Sequence, residues 1–112
     1  MSVNAYTARN GKELVLEIQG RFDFGLHKPF RRAYRGRAGL ETYRVDLRQA
    51  ESMDSSALGM LLLLREHASG QGARVVLRHC QEEVDEILRT ANFQKLFEIE
   101  RSPAPPRPVK AE

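Results

Sequence analysis

Strand-like and helix-like segments follow one another along this chain in a fixed order. The segment ELVLEIQG alternates apolar and polar residues, as does YRVDLR, and this pattern is typical of strands with one buried face. An Asn-Gly dipeptide at Asn10 supplies the positive φ angles of a tight hairpin near the start of the chain. Strands are predicted over residues 3–7, 13–20, 43–48, 73–79 and 95–100.

Between these strands, apolar residues recur at the spacing of a helix. A first helix contains Pro29 in its opening turn, where no backbone donor is needed, and ends at Gly36, a candidate left-handed cap. Further helices are predicted over residues 55–69 and 81–91. The order β-β-α-β-α-β-α-β predicts an α/β fold, with helices packed on a mixed, mostly parallel sheet of about five strands.

The length and composition indicate one folded domain. The chain has 112 residues, of which 41% are apolar and 29% charged, as in ordinary globular proteins. We expect the domain to cover residues 1–101 and the proline-rich residues 102–112 to form an extended, disordered tail. Residues 60–64, the longest apolar run, are too few to span a bilayer, so a cytoplasmic protein without a membrane partner is predicted.

The sequence carries no pattern of an enzyme or a metal protein. Its single cysteine, Cys80, has no second cysteine at metal-ligand spacing and is interpreted as a semi-buried filler. Neither Ser55 nor Ser56 has the flanking glycines of a hydrolase nucleophile, and no phosphate-cradling GxxxxGK is present. We therefore predict no catalytic residue, no cofactor and no metal. The histidines are interpreted as surface residues: His27, His67 and His79.

Positive charge is concentrated in the first half of the chain, and the net charge is +3. Such a stripe attracts nucleic acid in some proteins. Here no aromatic residues are interleaved with the cations, so a solvated helix face or an acidic protein partner is favoured and no direct nucleic-acid partner is predicted. The cations concerned are Lys28, Arg31, Arg32, Arg35, Arg37, Arg44 and Arg48.

Three polar residues, Asp54, Ser55 and Ser56, directly precede the most apolar segment of the chain. Each is a good N-cap, because a short side-chain oxygen accepts a hydrogen bond from the free amides of a first helical turn. Capping accounts for one of the three. The others are explained either by ordinary turn composition or by a functional role at the amino end of the helix.

The helix that follows has more leucine than one sheet face can bury. Leu58, Leu62 and Leu63 lie outside its core-facing stripe, so either neighbouring helices cover them or they form an exposed patch for a partner. The first alternative is favoured, because a flanking helix is expected in this layout. Gly59, which is costly inside a helix, indicates close approach by another group. The stripe consists of Ala57, Met60, Leu61, Leu64 and Ala68.

Two spaced motifs resemble those of STAS domains, specifically bacterial anti-sigma factor antagonists of the single-domain proteobacterial branch. MDSSALG, between a strand and a helix, is similar to the family's Asp-Ser-Ser/Thr-Gly-Leu-Gly signature. GRFDF is similar to its Gly-x-Leu/Phe-Asp turn after the second strand, and NFQKLFEI is similar to its last strand. The resemblance extends from Val3 to Ile99.

The resemblance implies a partner switch. An unphosphorylated antagonist of this family binds an anti-sigma factor, whose serine kinase module phosphorylates it; a serine phosphatase reverses the modification. The modified hydroxyl corresponds to Ser55, with Ser56 as second choice. Phosphate there would add about −1.5 to −2 charges beside Asp54 and repel a docked partner. Ala57 replaces the usual glycine. We expect its additional methyl group to restrict the access of a kinase to Ser55.

Further residues are assigned to partner binding on the same basis. Asp23 matches the family's aspartate in the upstream turn, against the alternative that it caps the helix at Pro29. The full set consists of Asp23, Asp54, Ser55, Ser56, Ala57, Leu58, Gly59, Leu62 and Leu63. A monomer or weak dimer is expected.

Two alternatives remain open at this point. One is a STAS scaffold that assembles a signalling complex without being phosphorylated. The other, an accessory domain of an anion transporter, is disfavoured because the sequence contains no membrane segment.

Overall fold

The computed structural model describes residues 1–101, which fold into five strands and three α-helices. Two short 3₁₀ turns, Phe24–Leu26 and Phe93–Lys95, precede the first α-helix and the last strand. The elements are β1 (Ser2–Ala8), β2 (Glu13–Phe22), α1 (His27–Arg35), β3 (Thr42–Met53), α2 (Ser55–Ser69), β4 (Arg74–Cys80), α3 (Glu82–Thr90) and β5 (Glu98–Arg101). No helix in this part of the chain is long and apolar enough to cross a membrane.

The sheet has the strand order β1-β2-β3-β4-β5, with β1 antiparallel to β2 and the remaining pairs parallel. Each parallel pair is joined through one helix, and right-handed crossovers between successive neighbours place all three helices on the same face. A single apolar core lies between that face and the helices, and it includes Leu16, Val45, Leu64 and Leu88. The predicted α/β class and element order are confirmed.

The strand β3 is longer than the alternating segment that predicts it. Its second half pairs only with β2, and the register shifts between Glu17 and Gln19 and between Gly20 and Arg21. These irregularities break the period-two alternation of side chains. The alternation of apolar and polar residues in the sequence therefore ends near residue 48, before the strand itself ends. Gly20 has φ +88°, a conformation that favours glycine.

Two predicted boundaries are wrong. Gly36 ends α1 with φ −89°, so it is not a left-handed cap. Residues 93–95 form a 3₁₀ turn and the last strand starts only at Glu98, because Phe93 and Phe97 stack with ring centroids 5.2 Å apart and bury both rings. The predicted tail over residues 102–112 lies outside the described residues.

The face of the sheet without helices is lined with charged side chains that pair with one another. Arg44 lies 2.8 Å from the Glu13 carboxylate and 3.5 Å from that of Glu100, although Arg44 and Glu13 are both buried. Towards the edge, Arg74 forms an ion pair of 2.9 Å with Glu98. Several of the charged side chains on this face therefore neutralise one another.

The turn from β4 to α3 buries an imidazole and a thiol. Interpreting His79 as a surface residue is wrong: it is 8% exposed, at a backbone φ of +57°. Arg48 Nη2 lies 2.9 Å from His79 Nε2, and because a guanidinium can only donate, Nε2 accepts and Nδ1 carries the proton. Burial raises the pKa of the neighbouring Cys80 thiol to about 12, so this cysteine is an inert part of the core.

We expect His79 to make the fold sensitive to acid. Burial is the main cause that lowers the pKa of this imidazole, and the Arg48 and Arg78 guanidiniums act in the same direction. The carboxylates of Asp46 and Glu100 raise the pKa, but their effect is smaller than the combined lowering. The unfolded chain therefore binds the proton first, so the free energy of unfolding falls as pH drops below about 6.5. One such proton contributes at most about 1.4 kcal/mol per pH unit.

Urea unfolding between about pH 8 and about pH 5 measures this effect. His79→Asn, which tolerates positive φ, should flatten the acid side of the curve, whereas the control His27→Asn should leave it unchanged. An unaltered pH dependence in His79→Asn would show that other groups cause the acid sensitivity.

Candidate functional site

Two turns lie side by side where the parallel strands β2 and β3 end. Phe22 pairs with Met53 at the last register position of these strands, and the backbone N–H of Asp54 donates to the Phe22 carbonyl over 3.4 Å. The turn that begins at Asp23 therefore lies beside the turn that begins at Asp54. This is the edge of an open α/β sheet at which binding groups commonly gather.

Asp54 is the N-cap of α2. Its Oδ1 accepts a hydrogen bond of 3.1 Å from the backbone N–H of Ala57, while its own backbone is extended. One of the three polar residues is thus committed to capping, as the cap preference predicts. Ser55 and Ser56 are free for other roles, because Asp54 already supplies the cap.

The two serines differ in access. Ser55 is exposed at the first position of α2, and Ser56 is half-buried. Ala57, which the sequence placed among the partner-binding residues, is fully buried and its side chain belongs to the core. Its methyl group therefore points away from the surface that presents Ser55. Ala57 is thus a core residue and not one of the residues available for contact with a partner.

The turn after β2 contains an exposed aromatic residue that the sequence analysis missed. Asp23 Oδ1 accepts a 2.9 Å hydrogen bond from Gly25 N–H, so it caps the 3₁₀ turn and not the helix at Pro29. This holds the neighbouring Phe24 outward, 67% exposed and stacked on the His27 ring at 5.1 Å. No pattern in the sequence marks Phe24 as exposed, because its spacing from Phe22 continues the alternation of β2.

The surplus leucines of α2 are not all covered. All residues of the predicted core stripe are buried, but Leu62 is 39% and Leu63 is 48% exposed, and Leu58 is half-buried. The expectation that neighbouring helices would cover these leucines is therefore wrong for Leu62 and Leu63. A Cβ added at Gly59 would meet no atom within 4 Å among the described residues, so nothing in this part of the chain requires its small size.

These residues together form one candidate docking surface. Ser55, Gly59 and Leu62 follow one another at i, i+4 and i+7 along α2, and Leu63 extends the line towards α1. Phe24 is also exposed, on the turn that lies beside the turn at Asp54. The docking surface thus consists of exposed apolar side chains around one exposed hydroxyl, a composition suited to contact with another protein.

Nothing in residues 1–101 points to a metal centre. The structure brings together no group of three or more His, Cys, Asp or Glu side chains in this range that could hold an ion.

Comparison with known proteins identifies the family. The family model described as "Mlab, STAS domain" matches residues 6–98. A STAS-domain containing protein of Pseudomonas aeruginosa (strain UCBPP-PA14) is 52% identical over 100 residues, which cover 88% of this chain and 99% of that protein. The chain belongs to the STAS-domain family, and the resemblance of its sequence to STAS domains is confirmed.

Solved structures share the fold at low sequence identity. A Thermotoga maritima protein assigned as an anti-sigma factor antagonist gives a TM-score of 0.78 at 17% identity, covering 90% of this chain and 87% of that one. SpoIIAA, an anti-sigma factor antagonist solved in its unphosphorylated form, gives 0.68 at 16% identity over 88% and 86%. A sulfate transporter family protein of Wolinella succinogenes gives 0.69 at 17% identity over 77% and 74%.

Proposed function

We propose that this protein is an anti-sigma factor antagonist without catalysis of its own. It binds an anti-sigma factor through the docking surface and is released when a serine kinase module of that partner phosphorylates Ser55. A serine phosphatase restores the binding form. The observation that carries the proposal is the exposed Ser55 at the start of α2, in line with Gly59 and the exposed Leu62.

The local geometry supports a charge switch at Ser55. The first N–H groups of a helix have no intrahelical acceptor, and the positive end of the helix dipole stabilises an anion there. Phosphate on Ser55 is therefore compatible with the fold. It would nevertheless place about −1.5 to −2 charges beside the Asp54 carboxylate, within a surface that is otherwise apolar. A partner that had docked on this surface would face like charge or a costly desolvation.

Exposure favours Ser55 over Ser56 as the modified residue. A kinase needs the acceptor hydroxyl free to enter its site, and Ser55 is exposed whereas Ser56 is half-buried. Gly59, one turn further along, leaves open space in which a partner backbone can approach the helix. The burial of the Ala57 methyl group supports access of a kinase to Ser55, although Ala57 replaces the usual glycine.

Incubation of the purified protein with its candidate serine kinase and Mg-ATP tests the proposal, with the modified residue mapped by mass spectrometry. We expect phosphate on Ser55, which is lost in Ser55→Ala and retained in Ser56→Ala. Absence of phosphate from both serines would overturn the switch. Partner binding that persists in that case would favour a scaffold that is never phosphorylated.

A further inference from the structure

The solvent-facing side of α1 is a stripe of like charge. Lys28, Arg31, Arg32 and Arg35 follow one another at i, i+3, i+4 and i+7, and all are exposed. The opposite side of the helix is buried through Phe30 and Tyr34. We call these four cations the α1 cation stripe.

The repulsion within the cation stripe is offset only in part by its own helix, because only Arg32 and Arg35 lie in the last turn, where the helix dipole favours cations. Cations three and four residues apart repel one another by about 0.2–0.5 kcal/mol per pair. Lys28 also lies in the first turn of α1, which contains no acidic residue, so it faces the positive end of the helix dipole. Within residues 1–101, no ion pair includes a cation of α1. An anionic partner would relieve this repulsion.

The cation stripe borders the docking surface. Tyr34 of α1 and His67 of α2 pack with ring centroids 5.1 Å apart, and a hollow of about 390 Å³ lies above this contact. Its lining combines two guanidiniums, two aromatic rings, one leucine and one carboxylate: Arg31, Arg35, Tyr34, His67, Leu63 and Glu66. Leu63 thus faces both the docking surface and the guanidiniums of α1.

We infer that the groove between α1 and α2 holds an acidic amphipathic helix of a protein partner. Carboxylates on one side of such a helix, spaced at i, i+3, i+4 and i+7, would pair with the cation stripe. An apolar residue on its adjoining side would contact Leu63. The apolar anchor favours a protein over nucleic acid, since no exposed aromatic residue is interleaved with the stripe to stack on bases.

The inference deepens the proposed function, on which it rests for the role of the partner. It assigns recognition to two separate groups. The cations of α1 would select an acidic partner and speed its encounter, while Ser55 would decide whether the complex persists.

A synthetic acidic peptide tests the inference directly. The probe is a helical peptide with glutamates at i, i+3, i+4 and i+7 and leucines beside them, titrated into ¹⁵N-labelled protein. We expect resonance changes in α1 and around Leu63, and affinity about tenfold lower in Arg31→Ala/Arg35→Ala. The control Arg9→Ala/Lys12→Ala removes the same charge from the β1–β2 hairpin and should bind as the wild type does. Glu66→Gln should bind the peptide more tightly than the wild type does, because it removes the one carboxylate that lines the hollow.

Three results of this titration would overturn the inference. They are absence of peptide binding, equal binding of a scrambled peptide of the same composition, and tighter binding of duplex DNA or phosphatidylglycerol vesicles. Binding of the same variants and of Ser55→Asp is then measured with the partner that is recovered by pull-down. Loss of binding in Ser55→Asp but not in the arginine variant contradicts the inference and leaves the proposed function standing; the opposite pattern supports the inference and contradicts the switch.

Discussion

Ser55→Asp is expected to weaken binding of the proposed anti-sigma partner by about 100-fold, because a carboxylate would then stand inside an apolar contact and beside Asp54. Ser55 is exposed and Asp54 caps the helix, so the substitution leaves the fold and its stability nearly unchanged. Isothermal titration calorimetry with the purified partner measures the affinity, and circular dichroism verifies the fold.

The matched control is Ser69→Asp, the same change at the exposed last residue of the same helix. It should bind the partner like the wild type, as should Ser55→Ala, which adds no charge. Equal affinity of Ser55→Asp and Ser69→Asp would contradict a charge switch and favour a constitutive scaffold.

Leu64→Ala is expected to lower the free energy of unfolding by about 3 kcal/mol, because it opens a cavity under a fully buried side chain. Leu63→Ala, the same substitution one residue earlier, should change it by less than about 0.5 kcal/mol because Leu63 is 48% exposed. Urea denaturation at equilibrium measures both values.

The two leucines should exchange roles when binding is measured. Leu63→Ala is expected to lower the affinity for the partner by about tenfold. The folded Leu64→Ala variant should bind the partner with the affinity of the wild type. If Leu63→Ala destabilised the protein as much as Leu64→Ala, Leu63 would be a core residue and the docking surface would lose one of its anchors.

Residues that follow a regular period were predictable from the sequence. The core stripe of α2 and the alternation of β2 and β3 report directly on burial, because side-chain direction follows the period of the element. The hairpin at Asn10 was equally accessible, since its positive φ of 59° is a local preference of that dipeptide. Local sequence patterns therefore predict the order of the strands and helices and the part of the site at the amino end of α2.

Features that depend on distant neighbours were not predictable. Phe24 is exposed because Asp23 caps a 3₁₀ turn that no periodicity marks. His79 is buried at a site where Arg48, which is remote in sequence, donates to its ring. The exposure of Leu62 and Leu63 depends on how far α1 extends over α2, a property of packing that a single helix pattern does not contain. Each of these outcomes is set by tertiary contacts.

The hydrogen bond from Asp54 N–H to the Phe22 carbonyl also bears on the timing of the proposed switch. It ties the two turns to each other, and Phe22 is itself fully buried. The backbone around Ser55 is thus anchored in the core, and the proposed mechanism requires no hinge or loop to move. Under the proposed mechanism, the response time of the switch is set by the turnover of the kinase and the phosphatase and by dissociation of the partner, with no slow conformational step between them.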